Sequence, residues 1–218
     1  MNRRHCIATV ATALSVGGSA AATGPVAPAR ATPEKVILVI GDSLSAEYGL
    51  PRGTGWVALL EQKLAREKSP FRVVNASISG DTTSGGRSRL GALLAQHRPA
   101  VVVIELGGND ALRGLPLELT ADNLGWMTQA AQTAGARVLL VGMQVPPNYG
   151  AEYGRRFSAV FVEVAKAHKA AVVPFMLKGV ADGADPTRLF QADRIHPAQE
   201  AHPIILATIW PELGKLLK

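Results

Sequence analysis

Residues 36–45 read V-I-L-V-I-G-D-S-L-S, an apolar, β-branched run that stops at Gly41-Asp42-Ser43. A continuous run of this kind predicts a strand buried on both faces, as in a parallel sheet. A glycine at its end releases the chain into a tight turn, where a serine hydroxyl can stand free of the sheet. Open α/β sheets build their sites at the carboxyl ends of such strands, so Ser43 is a candidate nucleophile. Serine and aspartate at a strand-to-helix junction also serve as caps and turn residues. Taken alone, the motif leaves both readings open.

Moving outward, the pattern alternates. Strands are predicted at 35–40, 71–75, 100–106, 137–143 and 170–174. Amphipathic stretches at 56–68, 88–97, 120–134, 153–168 and 201–217 predict helices, the first with Val57, Leu60 and Leu64 on one face. Every strand-to-strand interval can hold a right-handed crossover, which predicts an α/β fold with a parallel sheet covered on both faces. Pro203 suits a first helical turn, whereas Pro211 is expected to kink or break the last helix. No internal repeat, low-complexity tract or second domain interrupts residues 32–218.

The 218 residues, 47% of them hydrophobic, suit one compact core. The first 31 residues read differently. Met1-Asn2-Arg3-Arg4-His5 is basic, Cys6 to Ala22 is apolar and small, and no acid precedes Glu34. These are the marks of a secretory signal and linker, with cleavage near Ala20-Ala21-Ala22 or after Ala29-Arg30-Ala31. The stretch is too short and too rich in Gly, Ser and Ala to span a bilayer, so no stable membrane insertion is expected. Arg3-Arg4 hints at twin-arginine export, and Cys6 lies too early for a lipid anchor. Removing residues 1–31 deletes three arginines and no acid, so the balance of 23 against 17, or +6, becomes 20 against 17, or +3. The remaining chain has no basic run or aromatic-basic stripe, and no nucleic-acid partner is expected. Its only cysteine, Cys6, leaves with the leader, which excludes a disulfide or a thiolate metal site from a periplasmic or secreted product.

Four short segments carry the chemistry. Gly41-Asp42-Ser43-Leu44-Ser45, Ser79-Gly80-Asp81 and Gly107-Gly108-Asn109-Asp110 each follow a predicted strand, and Asp193-Arg194-Ile195-His196-Pro197 lies near the C-terminus. Strand ends of a parallel sheet open on one edge, so the first three converge. Acyl transfer needs a nucleophile, a base, an orienter for that base, and donors for the oxyanion. Ser43 is the candidate nucleophile and His196 the candidate base, since histidine ordinarily titrates close to neutrality. Asp193, three residues earlier, can reach the imidazole Nδ1–H if the segment turns. The backbone N–H groups of Ser43 and Gly80 and the amide of Asn109 are candidate oxyanion donors. Against this stand plainer readings. Gly-Gly-Asn-Asp is often only a turn, and Asp-x-x-His-Pro a capped loop leading into a helix. Thr83-Ser84-Gly85-Gly86 reads as a flexible loop or a phosphate cradle, although no nucleotide-binding glycine motif is present. His97, His168 and His202 read as surface or interface residues on helices. No His-Glu-x-x-His or Cys/His cluster proposes a metal.

Together these segments resemble the SGNH, or GDSL-type, serine hydrolases: Ser43, Gly80, Asn109 and His196 match the family's four named positions, with Asp193 three before the histidine. The stretches 40–46, 74–82, 103–110 and 147–150 are similar to the bacterial periplasmic thioesterase/lysophospholipase/arylesterase branch. The resemblance implies a five-stranded parallel sheet in a flavodoxin-like α/β/α sandwich, with no metal and no cofactor. It also implies Ser43 attack on an ester or thioester carbonyl, and an acyl-enzyme hydrolysed by water that His196 activates. Serine at position 45, where an α/β-hydrolase elbow has glycine, argues against that larger fold. The loop 144–156, with Pro146, Pro147 and Tyr149, and the stretch 111–116 are expected to wall an apolar acyl groove. Asp42, Leu44 and Asp110 are expected to complete the substrate-binding surface.

The expected activity is that of an exported, monomeric serine esterase on acyl esters, thioesters or lysolipids. A carbohydrate O-acetylesterase on the same scaffold is the alternative within the class. Outside it stands a flavodoxin-like protein that binds a small ligand without catalysis.

Overall fold

The computed structural model describes residues 34–218; the expected leader, residues 1–31, lies outside them. Five parallel strands form one sheet: β1 (Lys35–Gly41), β2 (Phe71–Asn75), β3 (Val101–Glu105), β4 (Arg137–Val141) and β5 (Ala171–Val173), in the order β2-β1-β3-β4-β5. Register is set by pairs such as Val39 with Asn75 and with Val103. The helices are α1 (Trp56–Arg66), α2 (Thr83–His97), α3 (Gly108–Leu112), α4 (Leu117–Thr133), α5 (Ala151–His168) and α6 (His202–Lys215).

The β-branched runs form strands because alternate side chains enter different cores. Ile37, Val39, Val101, Val103, Leu139 and Val141 pack with Trp56, Leu60 and Leu64 of α1 and Ile205 and Ile209 of α6. Leu38, Ile40, Val102, Ile104, Val138 and Leu140 pack with Leu90 of α2, Leu124 and Met127 of α4, and Phe157 and Phe161 of α5. Both faces of the sheet are therefore dry, and the molecule is a three-layer α/β/α sandwich. The layered arrangement leaves the carboxyl edge of the strands as the place where loops gather.

Three details differ from the sequence reading. Helix α2 starts at Thr83, so Thr83–Gly86 is its first turn rather than a loop or phosphate cradle, and the Thr82 hydroxyl accepts the Gly85 N–H at 3.3 Å. Gly86 suits this helix because an added Cβ would come within 2.3 Å of Leu106 Cδ1; its absence lets α2 settle on the sheet. Helix α6 runs unbroken through Pro211. Pro211 and Ala207, whose carbonyl the proline cannot pair, are both exposed, on the side of the helix where solvent can reach a freed oxygen. Finally, His202 is buried, and its Nδ1 accepts the N–H of Trp56 at 3.0 Å at the start of α1. It caps α1 from inside the fold, where a surface or interface residue was expected.

Candidate active site

Strand β1 ends in Gly41, where an added Cβ would lie 2.8 Å from Glu105 Oε2 and 2.9 Å from Ser45 Oγ. Close packing requires glycine there; its backbone lies outside the positive-φ region, which corrects the expectation that it supplies the turn. The turn begins one residue later, as the Ser45 and Ala46 N–H groups donate to the Asp42 carbonyl at 3.2 and 3.0 Å. Ser43 thus sits on a rigid mount at the sheet edge.

His196 Nε2 lies 2.9 Å from Ser43 Oγ, and His196 Nδ1 lies 2.7 Å from Asp193 Oδ2. With Nδ1–H donating to the carboxylate, Nε2 carries the lone pair that faces the serine hydroxyl. Asp193 Oδ1 also accepts the N–H groups of Ile195 and His196 at 2.9 and 3.0 Å. Burial pushes the Asp193 carboxyl up. The hydrogen bonds from the His196 ring and from the His196 and Ile195 backbone outweigh it and hold the group at about 2. The loop is closed by the Gln191 N–H on the His196 carbonyl at 2.8 Å and by an antiparallel bridge between Phe190 and Pro197.

The candidate oxyanion donors converge on the same edge. The backbone N–H groups of Ser43 and Gly80 donate to no other group among the described residues. Gly80 has φ +79°, and its carbonyl accepts from Arg113 Nη2 at 2.8 Å. Asn109 lies on α3, a short helix that turn chemistry alone did not reveal. Its Nδ2 donates to Asp42 Oδ2 at 3.0 Å and to the Asp81 carbonyl at 2.9 Å. Both amide hydrogens are therefore engaged, and donation to a substrate oxyanion requires one of these bonds to open.

Asp42, Leu44 and Asp110 are buried, at 2%, 7% and 0% exposure. This corrects the expectation that they line the substrate surface. Asp42 Oδ1 accepts the Leu44 N–H at 3.0 Å while Oδ2 holds Asn109, so it braces the nucleophile turn against the α3 turn. Asp110 Oδ2 accepts the Thr83 N–H at 2.9 Å, and Oδ1 meets the Thr83 hydroxyl, capping α2 from across the chain. Of the expected groove residues, Pro146 is exposed and Tyr149 half-buried. Tyr149 stacks on Tyr153 at 6.3 Å, Tyr153 on Phe157 at 6.4 Å, and Phe157 meets Phe161 edge-on at 5.4 Å. That aromatic series leads from the loop down to Gly107, where an added Cβ would lie 3.1 Å from Phe161 Cζ. Tyr48, Ile78, Leu112 and Ile195, each a few residues from a site group in the sequence, are 48–53% exposed.

The sequence reading missed Glu105. It ends β3 fully buried, and its Oε2 accepts the Ser45 hydroxyl at 2.7 Å and the Asp42 N–H at 3.4 Å. Trp56 Nε1 donates to the same Ser45 oxygen at 3.1 Å. One acid in the run V-V-V-I-E-L was the available signal, because a carboxyl inside a two-faced buried strand must find partners. Burial, and then the nearby Asp42, push Glu105 well above the usual carboxylate range. Burial also raises Asp42 to about 6, against the lowering pull of the Leu44 N–H, His196 and the Asn109 amide.

A pH dependence of stability follows. A raised acid favours folding in its protonated form, so the Asp42 contribution is present below about pH 4 and is lost as pH rises through 6. Between pH 7 and 5 it amounts to roughly 1 kcal/mol, or about 2–4 °C in Tm. Burial lowers the His202 pKa, which acts in the opposite sense as pH falls. The readout is therefore the difference between the native chain and Asp42→Asn. The Tm advantage of the native chain is expected to be larger at pH 5 than at pH 7 by that amount; parallel profiles would remove Asp42 from this role.

A model of the GDSL-like lipase/acylhydrolase family matches residues 39–204. The chain is 53% identical over 183 residues to the esterase TesA of Pseudomonas aeruginosa, covering 84% of this chain and 90% of that one. It is 42% identical over 188 residues to thioesterase 1/protease 1/lysophospholipase L1 of Escherichia coli K12, covering 86% and 88%. The crystal structure of TesA is similar with a TM-score of 0.80, over 84% of this chain and 99% of that chain, at 53% identity.

Proposed function

The chain belongs to the GDSL-like lipase/acylhydrolase family, and we propose that it is an exported serine esterase that cleaves acyl esters and thioesters through Ser43. The observation that supports this most is the unbroken relay from Ser43 Oγ to His196 Nε2 at 2.9 Å and from His196 Nδ1 to Asp193 at 2.7 Å. Ser43 Oγ attacks the acyl carbonyl as His196 takes its proton; the developing oxyanion is met by the Ser43 and Gly80 N–H groups, joined by Asn109 once it releases the Asp81 carbonyl. His196 then returns the proton to the leaving alcohol or thiol. A water molecule, deprotonated by His196, attacks the acyl-serine, and the acid departs with Ser43 restored. Asp193 stays ionised throughout and stabilises the imidazolium.

The exposed apolar side chains beside the site residues and the aromatic series behind Tyr149 favour lipid-like acyl chains over acetylated sugars, whose hydroxyls need polar partners. The basic, acid-free first 31 residues support export. A panel of p-nitrophenyl esters from acetate to palmitate, with a lysophospholipid, an acyl-CoA and an acetylated xylose, tests the substrate reading. Medium acyl chains are expected to give a higher kcat/KM than the sugar ester. A preference for the acetylated sugar over every acyl chain would overturn it.

A further inference from the structure

Ser43 and His196 stand on loops 153 residues apart in the chain, and the relay works only if those loops keep their spacing. Among the hydrogen bonds of the described residues, one besides Ser43–His196 joins the nucleophile loop to the acid–base loop. Gln191 Nε2 donates to the Tyr48 carbonyl at 2.9 Å. The same nitrogen donates to the Pro197 carbonyl at 3.1 Å, next to His196. The Tyr48 ring in turn lies over the His196 imidazole, with centroids 4.3 Å apart and planes at 37°. The amide has a shaped seat. Gly49, at φ +70°, would place an added Cβ 2.1 Å from Gln191 Oε1, so only the missing side chain leaves room for it.

We propose that Gln191 is a positioning residue for the hydrolytic reaction. Its amide straps the Tyr48 and Pro197 carbonyls together and so sets the position of His196 against Ser43. This assignment rests on the Ser43–His196–Asp193 reading above. The Gln191 side chain makes no hydrogen bond to the Ser43 hydroxyl or to the imidazole nitrogens, whose partners are each other and Asp193. It acts through two backbone carbonyls, one from each loop, and through the ring that Tyr48 lays on His196. A small misplacement of reacting groups lowers the rate by up to about a hundredfold while leaving binding little changed, and that sets the size of the effect.

The test is a double-mutant cycle of Gln191→Met with His196→Ala, assayed on p-nitrophenyl acetate. Methionine keeps the length and bulk of glutamine and removes both N–H donors. Gln191→Met is expected to lower kcat about 10- to 100-fold, with KM within about twofold of the native value. On the His196→Ala background the same substitution is expected to change the residual rate less than about twofold, because the group it positions is gone. Equal losses on both backgrounds, an effect confined to KM, or an unchanged kcat would each overturn the assignment. If His196→Ala alone leaves full activity, the underlying triad reading fails and the assignment with it. If His196→Ala silences the enzyme while Gln191→Met does nothing, only the role of Gln191 fails.

Discussion

Ser43→Ala is expected to lower kcat on p-nitrophenyl esters by about 10⁶, leaving the slow rate that backbone donors and binding alone support. The size follows from the position of the hydroxyl. Ser43 Oγ has one side-chain partner, His196 Nε2, and no other hydroxyl makes such a contact with that imidazole among the described residues. Ser45, two residues on, cannot substitute: its hydroxyl is buried between Glu105 and Trp56. The fold should be indifferent to the change. The nucleophile turn is held by the Asp42 carbonyl, the Asp42 carboxylate and the Gly41–Glu105 packing, none of which uses the Ser43 side chain. Tm is therefore expected within about 2 °C of the native value, as for a surface substitution. Activity lost together with a large fall in Tm would mean that the serine holds the turn instead of performing the reaction.

Asp193→Asn is the second large effect, with kcat expected to fall by about 10⁴. The carboxylate has two tasks, and asparagine keeps only one. Its side-chain oxygen can still accept the Ile195 and His196 N–H groups, so the loop turn survives. The other position becomes an NH₂ group facing His196 Nδ1, where Asp193 Oδ2 now lies at 2.7 Å. Two donors cannot share that contact, so the imidazole shifts its hydrogen to Nε2, the nitrogen that must accept from Ser43. The acid-side pH profile gives a second check. Asp193 is held at about 2, so its own protonation should not limit kcat/KM anywhere above about pH 4 in the native enzyme. Unchanged turnover in Asp193→Asn would show that His196 is oriented by its loop alone.

Much of this was legible from residue order. The β-branched runs Val36–Ile40 and Val101–Ile104 announce strands buried on both faces, because only such strands lack a polar side. Ser43, Gly80 and Asn109 then fall at strand ends, and the spacing of Asp193 and His196 allows their contact. What stayed hidden depends on partners distant in the chain. Glu105 finds the Ser45 hydroxyl across 60 residues, and Gln191 finds the Tyr48 carbonyl across 143. Helix α3 starts at Gly108, after Gly107 at φ +123°, and Asp110 on it caps α2 by holding Thr83. Local propensity reads that segment as a turn, and only the folded neighbourhood makes it a helix. His202 was misread for the same reason. Its place on a helix was visible, but the Trp56 N–H that it accepts comes from 146 residues away.

The central claim is that Ser43 Oγ forms the acyl bond. Diethyl p-nitrophenyl phosphate tests it directly, since an activated serine displaces p-nitrophenolate from phosphorus and keeps a diethylphosphoryl group that water removes only slowly. Intact-mass measurement followed by peptide mapping should find one such group per chain, on Ser43, with esterase activity falling in step and no label on Ser43→Ala. A label on any other residue, or full esterase activity in an unlabelled chain, would contradict the account.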